Sequence, residues 1–179
     1  MPRFGVSIIP SATGRSDPVV QARRAEELGF DLVSIWDHPH GANPSFETWT
    51  LMTWIAARTT RIHLASDVLG LPFRLPALTA KMASTLQVLS GGRFILGIGG
   101  GWREDEYRSY GYEFPSAGTR LRQLEEVVQI CRLMWTEAHP TFTGEHFSID
   151  DAAATPRPDV APGILIGSSG EQVGLPIVG

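Results

Sequence analysis

Short apolar runs alternate along this chain with longer stretches whose apolar residues recur at helical spacing. Phe4-Gly5-Val6-Ser7-Ile8-Ile9 reads as a buried strand ended by Pro10. Asp17-Pro18 then opens a helix, with Asp17 as N-cap and Pro18 at the first helical position. Val20, Ala25 and Leu28 supply its apolar face, and Gly29 stops it. The cycle repeats with a strand over 31–36, a loop from Asp37 to Pro44, and a helix from about Phe46 to Arg58 carrying Leu51, Trp54 and Ile55. A third strand, Ile62 to Ser66, leads through a loop over 69–75 to a helix begun by Pro76, with Leu78, Met82, Leu86 and Leu89 facing inward. Ser90-Gly91-Gly92 ends that helix, Arg93 to Ile98 forms the fourth strand, and Gly99-Gly100-Gly101 the next loop. A short acidic helix over 104–110 precedes a long one from about Gly118 to Thr136, whose core side carries Leu121, Leu124, Val127, Val128, Cys131, Met134 and Trp135. A small hairpin around Gly144 and a Pro-rich stretch, 156–162, lead to a fifth strand, Ile164-Leu165-Ile166.

Strands separated by helices of this length make parallel β/α units. Two architectures then compete, an open doubly wound sheet and a closed eight-stranded barrel, and periodicity does not separate them. A closed barrel takes roughly 250 residues. On length alone, 179 residues favour the open sheet.

Composition narrows the partners. With 42% hydrophobic and 19% charged residues, the chain can bury a core and is not disordered. A net charge of −4 offers no basic footprint for nucleic acid. No apolar run is long enough to span a bilayer, and the N-terminal residues lead straight into a strand, so neither a membrane partner nor a signal peptide is expected. The single cysteine, Cys131, excludes an internal disulfide framework and sits on an apolar helix face, as a core thiol would. A cytoplasmic protein is the simplest expectation.

Candidate chemistry follows from one rule: in parallel β/α folds, ligands bind at the carboxyl ends of the strands. At the end of the second strand, Asp37-His38 offers a proton-transferring imidazole, or a loop cap and a solvated ring. His40 completes a His-x-His pair, but zinc needs a further ligand and the remaining histidines are scattered, so no metal site is expected. Ser66-Asp67-Val68 follows the third strand; Asp67 either meets a ligand or bonds a neighbouring N–H at a turn. Gly99-Gly100-Gly101-Trp102 gives either room for a flat ligand or a tight turn. It is not a dinucleotide fingerprint, because Trp102 stands where the last glycine belongs. Gly167-Ser168-Ser169-Gly170 suits a phosphate or a plain turn. There is no Gly-x-Ser-x-Gly elbow for a serine hydrolase.

From Phe4 to about Glu171 these segments, in order, resemble the luciferase-like monooxygenase superfamily, and within it the coenzyme F420-dependent oxidoreductases. The most specific stretch runs from Leu89 to Trp102 and on through Glu104 and Glu106-Tyr107. Tyr110 to Gly118 with Arg120-Leu121, Ser34 to His38, Pro76 to Lys81, and Ile164 to Glu171 agree with it. The resemblance implies an α/β fold of (β/α)8 TIM-barrel type, incomplete, with about five of the eight units, and so overrides the length argument. It implies a flavin or deazaflavin ring over the third strand's end, supported by a bulge with a non-proline cis peptide, by position Asp67-Val68. Gly99, Gly100 and Gly101 would approach the ring, with Asp37, His38 and Ser66 near it. Ser168, Ser169 and Gly170 would meet the cofactor phosphate. His38 would be the proton donor.

The expected activity is F420-dependent hydride transfer to or from a small organic substrate, with an FMN-dependent monooxygenase as the alternative. Some sugar-phosphate dehydrogenases of the family use a glutamate just after these glycines; Trp102 stands there, so that substrate class is not expected. The resemblance also implies a homodimer. The family barrel has three further units, so residues 1–179 are expected to be one C-terminally truncated barrel domain, and a catalytically inert partial barrel is the competing expectation.

Overall fold

The computed structural model describes residues 3–13, 17–39, 41 and 44–167. Its strands and helices alternate: β1 (Gly5–Ile8), α1 (Pro18–Glu27), β2 (Leu32–Ile35), α2 (Thr48–Ala56), β3 (His63–Ser66), β4 (Leu69–Gly70), α3 (Pro76–Leu89), β5 (Phe94–Gly99), α4 (Glu104–Ser109), α5 (Ala117–Thr136), β6 (Phe142–Thr143), β7 (Ser148–Ile149) and β8 (Gly163–Gly167). A 3-10 turn, Leu71–Phe73, follows β4.

Strand order decides the architecture that length left open. β1 pairs with β2, β2 with β3, β3 with β5 and β5 with β8, all parallel. A doubly wound sheet reverses its strand order at a switch point. This sheet never reverses, and right-handed crossovers then put the helices on one side. It is a partial, non-closed barrel, and the open sheet favoured by length is corrected.

The elements begin and end for local reasons. The Asp17 carboxylate accepts the Val19 N–H at 2.7 Å, and Pro18 starts α1. Gly29, at φ 88°, lets the chain leave that helix in a conformation a Cβ would oppose. Glu47 caps α2, accepting from the N–H groups of Trp49 and Thr50, so that helix starts at Thr48 and not at Phe46.

The inner faces of α1 and α3 are smaller than expected. In α1, Ala22 and Ala25 are buried, while Val20 and Leu28 are exposed. In α3, Ala80, Ala83 and Leu86 face inward, and Leu78 and Leu89 are exposed; in α2, Trp54 points outward with the Arg58 guanidinium over its ring. Alanine lets a helix lie close to the sheet, which a rule favouring large apolar residues misses. The face of α5 is as expected except at its start: Leu124, Val127, Val128, Cys131, Met134 and Trp135 are buried, while Leu121 is half-buried. Burial pushes the Cys131 thiol up to about 12, which suits a core thiol and not a nucleophile.

Two polar groups tie this shell together. Trp135 donates its indole N–H to the Ala80 carbonyl, joining α5 to α3. Glu126 accepts the backbone N–H groups of Glu145, His146 and Phe147, filling the loop of the β6–β7 hairpin. That hairpin pairs Phe142 with Ile149, on either side of the expected turn around Gly144. Among the described residues no helix is long and apolar enough to cross a membrane.

Candidate active site

The carboxyl ends of β2, β3, β5 and β8 open into one cavity of about 590 Å³. Its walls include Asp37, His38, Asp67, Val68, Gly99, Gly100, Gly101, Trp102, Glu106, Tyr107, Arg120 and Gly167. That volume lies within the usual range for a cofactor or small-ligand site.

The floor is built where β3 leaves the regular ladder. β3 and β5 pair at Leu64–Phe94 and Ala65–Ile95, and there the ladder stops. Ser66 takes over: fully buried, its hydroxyl donates to the Gly97 carbonyl at 2.7 Å and accepts the Gly97 N–H at 2.9 Å. Ser66 is therefore spent on the sheet and does not line the cavity. The Asp67–Val68 peptide is cis, as the resemblance implied by position. Asp67 is exposed, and its carboxylate accepts from Ser34 at 3.4 Å. Val68 lies in a cradle kept open by glycines: a Cβ on Gly99 would come within 2.9 Å of its methyl, and one on Gly167 within 2.5 Å.

The glycine run is thus explained first by packing. Gly99 is required by Val68 and the Gly167 carbonyl, and Gly101 by the Tyr107 hydroxyl, which a Cβ would meet at 1.7 Å. Gly101 also sits at φ 74°. Gly100 has ordinary space around it and faces Arg120. Tyr107 donates to the Gly100 carbonyl at 2.9 Å, and burial pushes its phenol up to about 12, so it stays a neutral donor.

Asp37 and His38 are neighbours with different employment. The Asp37 side chain is 2% exposed and accepts from the Gly70 N–H at 3.2 Å and from Arg74 at 2.9 Å. Arg74 also pairs with Glu47. Burial works against the Arg74 charge, but the two carboxylates more than offset it and hold its pKa above the ordinary value. Asp37 thereby pins the segment after the bulge to the end of β2. His38 points elsewhere. Its Nδ1 lies 3.0 and 3.1 Å from the two carboxylate oxygens of Glu106, whose side chain is only 3% exposed. Arg103 shares that carboxylate at 3.0 Å and also pairs with Asp105. The Trp36 and Trp102 rings flank the imidazole at 5.3 and 5.8 Å, and Trp102 is 73% exposed at the cavity mouth.

The structure therefore gathers His38, Asp67, Val68 and the glycines after β5 in one cavity, and it adds Glu106, Arg103, Tyr107 and Arg120. Glu106 and Tyr107 entered the sequence reading only as part of a motif. In an acidic run, nothing local distinguishes the one glutamate that turns inward. Ser168, Ser169, Gly170 and His40 lie outside the described residues. Among the described residues no group of three or more His, Cys, Asp or Glu side chains could hold a metal ion.

Known proteins share this arrangement of elements. The chain is 36% identical over 159 residues to an F420-dependent glucose-6-phosphate dehydrogenase of Kineococcus radiotolerans, covering 85% of this chain and 46% of that protein. It is 38% identical over 150 residues to the pyrimidine monooxygenase RutA of Variovorax paradoxus, covering 75% of this chain and 38% of that protein. A solved F420-dependent secondary alcohol dehydrogenase, in complex with an F420–acetone adduct, superposes with a TM-score of 0.81 at 27% identity, covering 93% of this chain and 53% of that one. The chain spans about half the length of the curated relatives it matches. Residues 4–177 match the luciferase-like monooxygenase family, and the chain belongs to it.

Proposed function

We propose that this chain carries the coenzyme-facing wall of an F420-dependent oxidoreductase, which transfers hydride between the deazaflavin and a small organic substrate. The observation that carries the reading is the position of His38: an imidazole held by a buried carboxylate in the same cavity as the Asp67–Val68 bulge. Similarity to the dehydrogenase from Kineococcus and to the secondary alcohol dehydrogenase supports deazaflavin as the coenzyme.

The residues present fit a flat ring. Val68, seated between Gly99 and Gly167 in space no Cβ could share, supplies a ledge for it, and Asp67 and Gly100 flank that ledge. Gly101 shapes the turn beyond. Ser66 acts from behind, holding β3 to β5, while Asp37, in the cavity wall, holds the post-bulge segment to β2. Ser168, Ser169 and Gly170 are the proposed phosphate contacts. When bound, the coenzyme supplies hydride transfer. His38 exchanges the proton that accompanies it, taking one from an alcohol hydroxyl or returning one to a carbonyl oxygen.

The similarity to the pyrimidine monooxygenase favours a second reading, in which reduced FMN occupies the same cavity and activates oxygen. Fluorescence titration of the purified protein with F420 and with FMN separates the two. Saturable F420 binding with weaker FMN binding is expected; tight FMN binding without F420 binding transfers the protein to the flavin monooxygenases. Turnover of reduced coenzyme would reject an inert partial barrel.

A further inference from the structure

The contact between His38 and Glu106 says more than that a histidine is anchored. We infer that Glu106 is a positioning residue that holds neutral His38 in its Nδ1–H tautomer, making Nε2 the atom that exchanges a proton in the cavity. A carboxylate only accepts hydrogen bonds, and a neutral imidazole carries one N–H. With Nδ1 at 3.0 and 3.1 Å from the two Glu106 oxygens, the hydrogen belongs on Nδ1. Nε2 then keeps its lone pair, and it has no hydrogen-bond partner among the described residues. His38 lines the cavity.

Three features make the arrangement stable against the alternative tautomer. Glu106 is 2% exposed, so water does not replace it as the Nδ1 partner. Arg103, at 3.0 Å from the same oxygen, keeps a positive charge beside the carboxylate, and Asp105 in turn holds Arg103. Trp36 and Trp102 stand on the imidazole at 5.3 and 5.8 Å, which restricts rotation of the ring. The opposite tautomer would set the Nδ1 lone pair against a buried carboxylate, leaving both acceptors without a proton between them, a situation costly in a site shielded from water. The tautomer of a functional histidine is generally set by the hydrogen bond its other nitrogen makes.

The consequence for proton exchange rests on the proposed role of His38; the tautomer itself does not. The test is ¹⁵N NMR of the protein labelled at histidine, at a pH where His38 is neutral. The chain has 5 histidines, and His38→Gln identifies the His38 signal by its loss. The expected wild-type spectrum shows a protonated, pyrrole-type Nδ1 and a pyridine-type Nε2. Glu106→Gln offers both an acceptor oxygen and an N–H donor, so the preference for Nδ1–H weakens relative to wild type. Glu106→Leu removes it and lets the Nε2–H form appear. A wild-type spectrum with Nε2 protonated overturns the inference, and so does a Glu106→Leu spectrum identical to wild type. If the leucine variant does not fold, the wild-type spectrum still decides. The coenzyme titrations are read separately, so an Nδ1–H result with no F420 binding would sink the proposed activity and leave the tautomer standing.

Discussion

The two ends of the sheet are built on opposite principles. At the amino-terminal end of β5, Arg93 is 8% exposed, and its guanidinium is wholly committed. It donates to the carbonyls of Ala56, Thr59, Ile62 and Ser90 and to the Thr59 hydroxyl, closing the ends of α2 and α3 over the base of the sheet. Nearby, Glu26 accepts the N–H groups of Thr60, Arg61 and Ile62 just before β3. Every one of these partners is backbone or a neighbouring hydroxyl, so the network specifies chain path and nothing else. At the carboxyl-terminal end, Glu106 instead binds two side chains, His38 and Arg103, and leaves an imidazole nitrogen beside a cavity with no partner among the described residues. Saturated polar networks hold the fold; unsaturated ones, placed where the strands end, are available for chemistry. That division is the usual one between the two faces of a β/α barrel.

The comparison can be broken from either side. Arg93→Met should have the largest effect. It leaves several buried carbonyls without donors, at a cost of about 4 kcal/mol in urea unfolding, with coenzyme affinity of the folded protein unchanged. His38→Gln should do the reverse. Unfolding shifts by less than about 1 kcal/mol, while turnover falls by about 100-fold through loss of the proposed proton-exchanging group. If His38→Gln instead lowers stability and spares turnover, the division between the two ends is wrong.

A smaller effect should appear at low pH. Burial tends to raise the Glu26 pKa, but its backbone hydrogen bonds from Arg61, Ile62 and Thr60 outweigh that and hold it below the ordinary 4.5. A depressed folded-state pKa contributes stability that is present above the unfolded value and lost as the pH falls through the folded one. Melting temperature should therefore drop below about pH 4.5 by more in wild type than in Glu26→Gln. Equal slopes would remove Glu26 from the acid response. The smallest effect belongs to neither end: Trp54→Gln, on the outer face of α2, should cost about 0.5 kcal/mol through its lost contact with Arg58.

Particular residues show why the sequence was legible in some places and not in others. Asp17-Pro18, Gly29 and Pro76 mark helix ends through local backbone chemistry, and each does so in the structure. The position of the cis Asp67–Val68 peptide was carried by family resemblance, not by the residues themselves. Helix faces were read less well. Val20, Leu28, Leu78 and Leu89 look inward by size and lie outward, because alanines give α1 and α3 their close approach, while Trp54 lies outward with Trp49, Met52 and Ile55 filling the inner face of α2. Ser66 was placed near the ring by resemblance, yet its hydroxyl is consumed by Gly97; Asp37 lines the cavity, with Oδ2 held by Gly70 and Arg74.

The sequence by itself determined the alternation of strand and helix and which segments follow the strand ends, while family resemblance singled out His38. The first two depend on interactions within a few residues, or on a pattern repeated along the chain. Only the tertiary structure decided that the strands add in one direction without reversal, that Glu106 meets His38 across 68 positions of sequence, and that Gly99 and Gly101 are demanded by Val68 and Tyr107. Those outcomes come from which surfaces meet when the helices close over the sheet, and no local pattern encodes the partner a side chain will find there.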